Sequence, residues 1–171
     1  MIFETPEPIN LKYTLESGQI FKWEKVNNWY YIITGKRVLK IRHLNGNLPF
    51  RLEYYCNSEK EEEESLKSYF RLNDNLETIL CDIAKDDFIS EITRKYSGLR
   101  IIQQDFWECI CGFILSQASN IAAIRRNIDQ ISKRFGDKIE FDGREFHTFP
   151  EPEKLREISE SELRSLGLGF R

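Results

Sequence analysis

The chain has 171 residues, of which 40% are hydrophobic, and its 25 Lys and Arg against 28 Asp and Glu give a formal net charge of -3. A chain of this size buries roughly 70% of its unfolded surface, which excludes a disordered tail and makes disulfides unnecessary. No apolar run approaches the roughly 20 residues of a membrane span, and the first residues lack a signal-peptide pattern. We therefore expect a soluble intracellular protein with no membrane partner.

The cysteine and histidine content gives no sign of a metal site. The four cysteines are Cys56, Cys81, Cys109 and Cys111, and the two histidines, His43 and His147, stand alone. No two of them have the spacing of a zinc ligand pair. Cys109 and Cys111 lie in an apolar run, where cysteine usually behaves as a small core hydrophobe. We expect no metal ion and no cofactor.

The first 55 residues have the period of β-strands. Residues 39–42 and 50–54 alternate between apolar and polar side chains, which predicts two strands. Gly35-Lys36 and Asn45-Gly46-Asn47 predict turns between such runs, and connections this short predict an antiparallel sheet. The aromatic run from Trp29 to Tyr31 has two interpretations, a stacking surface for nucleic acid or the core of the sheet, and the second is favoured.

The pattern changes to helices at Ser58. Ser58 with Glu61 is a capping box, and the acidic run 59–64 suits the positive end of a helix dipole. A partner-binding patch is the alternative interpretation of this run, and a solvated first turn is favoured. Further helices are predicted over about 76–84, about 88–96 and 106–116.

The segment 105–117 has the most apolar character of the chain. Asp105 with Glu108 predicts its cap, and apolar side chains on several sides predict a central, buried helix. Asn120 is predicted to cap the next helix, which Gly136 ends. The segment 141–144 is predicted to form a turn, and Ser159 with Glu162 is predicted to cap a last short helix.

This order of elements predicts the α+β class, with an N-terminal antiparallel β-sheet domain packed on the start of an all-helical domain. The boundary is placed so that residues 1–99 form the domain of sheet and helices, and residues 100–171 form the first part of the helical domain. Composition alone indicates no active site, because no phosphate loop and no nucleophile with a base partner is found.

Five ordered segments carry a resemblance to a known family. They are Leu15–Trp23 (LESGQIFKW), Tyr69–Leu72 (YFRL), Gln104–Cys109 (QDFWEC), Phe113–Ile121 (FILSQASNI) and Leu166–Arg171 (LGLGFR). Together they resemble the 8-oxoguanine DNA glycosylases of the helix-hairpin-helix superfamily, over nearly the whole chain. The resemblance implies base-excision DNA repair by a glycosylase and β-elimination lyase that flips oxidised guanine out of the duplex. It also implies double-stranded DNA containing oxidised guanine as the partner, in the cytoplasm or the nucleus.

Gly18 is the lesion-recognition residue that the resemblance implies. Its backbone carbonyl would accept a hydrogen bond from the N7 proton that 8-oxoguanine has and guanine lacks. Glycine lets the backbone approach a base edge closely, and guanine would leave the buried acceptor unpaired. The alternative interpretation is a simple turn residue.

Asn120, Phe170 and Arg171 are the DNA-binding residues that the resemblance implies. Phe170 would act as a wedge beside the extruded base, and Arg171 would donate to the estranged cytosine. The alternative interpretation is a hydrophobic contact and a solvated charge. Ala118 and Ala123 depart from the family, whose better known members carry an asparagine and often an arginine there.

Family members continue for over a hundred residues, with a hairpin motif, a catalytic lysine and an assisting aspartate. No catalytic residue is therefore expected in this chain, and Lys133, Lys138 and Lys154 are not expected to be nucleophiles. We expect the chain alone to be inactive and a missing C-terminal half to complete it. The alternatives are a non-catalytic module that binds damaged DNA and a protein-interaction domain, which the net charge of -3 mildly supports.

Overall fold

A computed structural model describes residues 1–44, 49–58 and 62–168. The strands are β1 (Ile2–Thr5), β2 (Trp23–Val26), β3 (Trp29–Thr34), β4 (Arg37–His43), β5 (Phe50–Cys56), β6 (Lys138–Phe141) and β7 (Arg144–His147). The helices are α1 (Leu11–Leu15), α2 (Glu62–Tyr69), α3 (Leu76–Ile83), α4 (Asp87–Lys95), α5 (Phe106–Ser116), α6 (Ile121–Phe135), α7 (Pro152–Arg156) and α8 (Glu160–Ser165). This order of strands and helices confirms the α+β class.

Five strands form one antiparallel sheet in the order β1-β5-β4-β3-β2. The register pairs Phe3 with Leu52, and Trp23 with Ile32. The predicted strands over 39–42 and 50–54 are confirmed as parts of β4 and β5. Gly35 lies between β3 and β4 with φ +52°, a turn conformation that suits glycine. The predicted turn at Asn45-Gly46-Asn47 lies outside the described residues.

The helix predictions rest on capping residues close in sequence to each helix start, and the structure confirms most of these helices. Asp105 caps α5 by accepting from the Glu108 amide at 3.0 Å, and α5 covers the predicted residues. Ser159 and Glu162 form the predicted capping box at α8. The described part of α2 begins at Glu62, and the capping box predicted for Ser58 and Glu61 is not tested because Glu61 lies outside the described residues.

The chain divides into two compact units, each made of two segments. The first unit comprises residues 1–19 and 41–103, and the second comprises residues 20–40 and 104–171. The core of the first unit has fully buried side chains on α1, on the sheet and directly after α2, which are Leu11, Leu15, Ile41, Leu52 and Phe70. The domain boundary at residues 99 and 100 stays a prediction.

The second unit has two apolar clusters. One is formed by Leu115, Ile124, Ile128, Ile131, Phe149 and Leu168, and the other by Tyr31, Val38 and Phe146. Tyr30 and Tyr31 are buried, which confirms the core interpretation of this aromatic run. The predicted turn at 141–144 joins β6 to β7, with Asp142 at φ +54° and Gly143 at φ +68°, as a two-residue hairpin requires.

The expectation that α5 is central and buried on several sides is wrong. Phe106 is 80% exposed, Phe113 is 73% exposed, and Ile110 and Ile114 are also exposed. Only the face that carries Leu115 packs into the apolar cluster, together with the half-buried Trp107 and Cys111. Cys109 is likewise exposed and not a core residue. The prediction was based on the apolar residue types of α5, but none of the described residues packs against the faces that carry Phe106 and Phe113.

Candidate functional site

Gly18 lies in a tight turn directly after α1, in the first unit. The helix begins with the Asn10 side chain accepting from the Tyr13 amide at 3.0 Å and ends at Leu15. Gly18 has φ +89°, which residues with a Cβ rarely adopt. Within the described part of the chain, no donor hydrogen-bonds to the Gly18 carbonyl. A backbone acceptor that the fold leaves unused is what base-edge recognition requires.

The Gln19 carboxamide connects this turn to a distant segment of the same unit. Its Nε2 donates to the Thr14 carbonyl at 2.8 Å and to the Arg100 carbonyl at 2.9 Å. Its Oε1 accepts from the Ile102 amide at 2.8 Å. The Ser17 hydroxyl donates to the same Thr14 carbonyl at 3.0 Å and accepts from Gln19 Nε2 at 3.2 Å. The turn is therefore held by side chains on both sides of Gly18.

Arg100, whose carbonyl accepts from Gln19, is itself held by its side chain. Its guanidinium donates to the carbonyls of Pro8, Arg71 and Asp74, each at 2.9 Å, and pairs with Glu7 at 2.8 Å. The side chain is only 2% exposed, so the four acceptors replace water around a buried charge. The Arg100 amide also donates to Thr14 Oγ1 at 3.1 Å. Sequence reasoning missed Arg100, because these partners lie 26 to 93 residues away.

The turn between α5 and α6 carries another predicted site residue, in the second unit. Asn120 Oδ1 accepts from the Ala123 amide at 2.9 Å and caps α6, as predicted. Ala118 has φ +49°, a conformation for which asparagine is better suited than alanine. The DNA contact of Asn120 stays a prediction. Phe170 and Arg171 lie outside the described residues.

A half-buried lysine in the second unit was missed by the sequence analysis. Lys22 Nζ donates to the His147 carbonyl at 2.6 Å and to Ser132 Oγ at 3.1 Å, and it lines a cavity of about 480 Å³. Burial lowers the pKa of Lys22 to about 8, although Glu108 and Asp129 oppose this shift. A lysine between Phe21 and Trp23 in an apolar stretch was the available signal.

Glu108 is the acidic counterpart of Lys22. Burial raises the pKa of Glu108 to about 7, and the nearby Lys22 opposes that shift. Its Oε1 accepts from the Gly35 amide at 3.3 Å, so it has a backbone partner in the same unit. The two groups attract each other, yet the desolvation cost of each charge dominates. This pair can hold or release a proton near neutral pH.

Four further cations of the second unit are engaged in structural contacts. Arg125 donates to the Trp23 carbonyl at 2.5 Å and lies 4.4 Å from the centroid of the Trp23 ring. Lys133 pairs with Asp129 at 2.8 Å. Lys138 pairs with Glu145 at 2.7 Å, and Lys154 with Asp137 at 3.1 Å. These ion pairs suit structural roles for the three lysines.

The described residues contain no group of three or more His, Cys, Asp or Glu arranged to hold a metal ion. Among the helices of the described ranges, none combines the length and apolar character that crossing a bilayer requires.

The fold has relatives of known structure. An 8-oxoguanine glycosylase/lyase of Clostridium acetobutylicum, solved in its apo form, matches with a TM-score of 0.85 and 27% identity over 99% of this chain and 61% of that chain. The same protein was solved in complex with double-stranded DNA containing cytosine opposite 8-oxoguanine, again with a TM-score of 0.85 and 27% identity, over 99% of this chain and 60% of that chain. The fold of this chain is therefore that of the matched part of a DNA glycosylase/lyase.

The sequence comparisons identify the particular family. A family model described as 8-oxoguanine DNA glycosylase, N-terminal domain, matches residues 1–110, and the chain belongs to this family. It is 31% identical over 170 residues to the protein of Arabidopsis thaliana named N-glycosylase/DNA lyase OGG1, covering 98% of this chain and 47% of the relative. It is 30% identical over 175 residues to the N-glycosylase/DNA lyase of Saccharomyces cerevisiae, covering 92% of this chain and 45% of the relative.

These matches confirm the resemblance seen in the five segments. The chain spans about half the length of the curated relatives it matches.

Proposed function

We propose that this chain supplies lesion recognition in base-excision DNA repair, as part of an 8-oxoguanine DNA glycosylase/AP lyase. The observation that carries the proposal is the Gly18 turn, with its positive φ and its unused carbonyl. The partner is double-stranded DNA containing oxidised guanine, and the setting is inside the cell, in the cytoplasm or the nucleus where DNA is found.

The chemistry of recognition follows from a single backbone acceptor. In 8-oxoguanine the N7 atom carries a proton and donates, whereas in guanine the same atom is itself an acceptor. A carbonyl held against that edge gains a hydrogen bond from the lesion and meets an unpaired acceptor in guanine. Leaving a buried acceptor unpaired costs about 1 to 3 kcal/mol, which is roughly 5- to 150-fold in preference.

Asn120, Phe170 and Arg171 are proposed to contact the DNA around the extruded base. Asn120 uses its side-chain oxygen to cap α6, which leaves its amide group to donate to a phosphate or a base. Phe170 is proposed as the wedge and Arg171 as the donor to the estranged cytosine. The catalytic lysine and aspartate are proposed to lie outside residues 1–171, so the complete activity belongs to a protein of the relatives' length.

The test compares Gly18→Ala with a matched control, Gly143→Ala. Gly143 has φ +68° and no atom within 4 Å of an added Cβ, so its variant carries a backbone penalty of the same kind at the β6-β7 turn. Binding to duplexes with 8-oxoguanine or guanine opposite cytosine is measured by fluorescence anisotropy. The preference for the lesion is the dissociation constant for the guanine duplex divided by that for the 8-oxoguanine duplex. We expect this ratio to fall about 5-fold or more in Gly18→Ala and to stay unchanged in Gly143→Ala.

Equal binding of the two duplexes by the unsubstituted chain would refute a recognition role for this chain. The lyase assignment is tested separately by borohydride reduction with lesion-containing DNA, which traps a Schiff base on lysine. A trapped adduct that maps to a lysine within residues 1–171 would show that the nucleophile has been assigned to the wrong part of the protein.

A further inference from the structure

We infer that Gln19 is a positioning residue for lesion recognition, because its carboxamide fixes the direction of the Gly18 carbonyl. This inference rests on the proposed function of Gly18 and adds the group that makes its acceptor selective. The evidence comes from three hydrogen bonds of one side chain and from the rigidity of the backbone that those bonds reach.

The peptide bond between Gly18 and Gln19 links the two residues mechanically. The Gly18 carbonyl and the Gln19 amide nitrogen belong to one planar group, so the carbonyl turns only when this whole plane turns. Gly18 offers little resistance to such rotation, because glycine has the widest range of backbone conformations. Holding Gln19 in place therefore limits the swing of the Gly18 carbonyl.

The Gln19 carboxamide is held through both of its polar atoms. Nε2 donates to the carbonyls of Thr14 and Arg100, and Oε1 accepts from the Ile102 amide, all between 2.8 and 2.9 Å. Two donated bonds and one accepted bond fix the plane of the amide group as well as its position. A side chain with a single hydrogen bond would fix only a distance.

The backbone groups that hold Gln19 belong to the rigid frame of the first unit. Thr14 is fully buried on α1, and Ile102 is 4% exposed. Arg100 is fixed by its four guanidinium bonds, and the neighbouring Gly98 packs against Asn10 so closely that an added Cβ would lie 2.9 Å from the Asn10 nitrogen. The hydrogen bonds of the Gln19 side chain therefore tie the turn to backbone groups that the core holds in place.

A fixed carbonyl is necessary for discrimination against guanine. A mobile Gly18 carbonyl could rotate away from the guanine N7 acceptor and accept a hydrogen bond from water. This would remove the free-energy cost of an unpaired acceptor, which is the basis of discrimination against guanine. The same mobility would weaken the hydrogen bond to 8-oxoguanine, because an ordered acceptor loses less conformational entropy on binding. Loosening Gln19 should therefore reduce the preference for the lesion more than the affinity for DNA as such.

The experiment uses two substitutions of Gln19. Gln19→Leu removes these three hydrogen bonds and the longer one from Nε2 to Ser17 Oγ at 3.2 Å. Gln19→Glu keeps an acceptor for the Ile102 amide and turns an oxygen towards the carbonyls of Thr14 and Arg100. Glu53→Gln is the matched control, because Glu53 accepts two bonds from Arg42 at 2.8 and 2.6 Å in the same unit. All variants are measured at a temperature at which circular dichroism shows them folded.

Two readouts are taken on the same proteins. The first is the ratio of dissociation constants for guanine-containing and 8-oxoguanine-containing duplexes, and the second is hydrogen exchange of the Ile102 amide. We expect both Gln19 variants to lower the ratio about 5-fold or more, with Glu53→Gln unchanged. Exchange at Ile102 should accelerate about 10-fold or more in Gln19→Leu and less in Gln19→Glu. If Gln19→Leu does not fold, Gln19→Glu alone decides the first readout.

The outcomes separate this inference from the proposed function. If the unsubstituted chain prefers the lesion and the Gln19 variants keep that preference while Ile102 exchanges faster, Gln19 supports the fold only and the inference is overturned. If the unsubstituted chain shows no preference, the proposed function fails, and the positioning role fails with it. A loss of preference in the Glu53 control equal to that in the Gln19 variants would also overturn the inference, because general destabilisation would explain it.

Discussion

Replacing Ala118 by glycine or asparagine is expected to stabilise the protein. Ala118 has φ +49° in the turn between α5 and α6, where the Cβ of an L-residue crowds the following carbonyl. The left-handed conformation costs an L-residue about 1 to 2 kcal/mol, and glycine has no such cost. Glycine also raises the entropy of the unfolded chain, which subtracts about 0.4 to 1 kcal/mol. The net gain for Ala118→Gly is therefore between about 0 and 1.6 kcal/mol, with a midpoint of about 0.8 kcal/mol.

Asparagine should achieve a similar gain by a different route. Asparagine tolerates the left-handed region better than alanine. Unlike glycine, it does not raise the conformational entropy of the unfolded chain. In a chain of this length a gain of 1 kcal/mol raises the melting temperature by about 2 to 4 °C. Urea denaturation followed by circular dichroism measures the free energy of unfolding, and calorimetry measures the melting temperature.

The matched control is Ala122→Gly, the same substitution four residues away in the first turn of α6. Ala122 is helical, so glycine there should cost up to about 1 kcal/mol. Opposite signs at the two positions would show that the backbone conformation of Ala118 is the cause. Destabilisation of equal size in both glycine variants would refute the reasoning.

Two further predictions concern the carboxyl group of Glu108 and the exposed face of α5. Burial raises the pKa of Glu108 from 4.5 to about 7, so between these values the folded chain binds more protons than the unfolded chain. The free energy of unfolding should therefore fall as pH rises from about 4.5 to 7, because the folded chain loses its extra proton over this range. Urea titrations across this range should show that Glu108→Gln removes this fall. An unchanged slope would contradict the raised pKa of Glu108. Phe106→Ser and Phe113→Ser should each change stability by no more than about 0.5 kcal/mol, because both side chains are largely exposed. Phe70→Ser, at a fully buried position, should cost more than about 3 kcal/mol in the same assay, and an equal loss at Phe113 would mean that this face of α5 is covered.

The parts of the fold that could be predicted from sequence are those with local causes. The bounds of α5 and α6 follow from Asp105, Asn120 and Gly136, because a cap acts on backbone groups within three or four residues. The short helices α1 and α7 were not predicted, since five residues are too few to show a helical period. The strands β6 and β7 were missed for the same reason, although the turn between them was identified.

Burial was less predictable than secondary structure. The sequence of α5 shows apolar residues on several sides, but a residue type does not say which surfaces lie against it. Phe106 and Phe113 are exposed, while Leu115 on the same helix is buried. Likewise, the sequence did not indicate that Arg100 is buried or that Lys22 is half-buried, because their acceptors come from segments 26 to 125 residues away.

In the candidate site, too, some residues are explained by local interactions such as helix capping and others by contacts between distant segments. Asn120 was implied by the family resemblance, yet helix capping alone accounts for its side-chain oxygen. Gly98 and Gly136 are explained by close packing, since an added Cβ would lie 2.9 Å or less from a backbone atom. Gly18 differs from these residues because folding makes no use of its carbonyl within the described part of the chain. The buried polar network around Gln19 and Arg100 therefore stabilises the turn that carries Gly18, the residue we propose for lesion recognition.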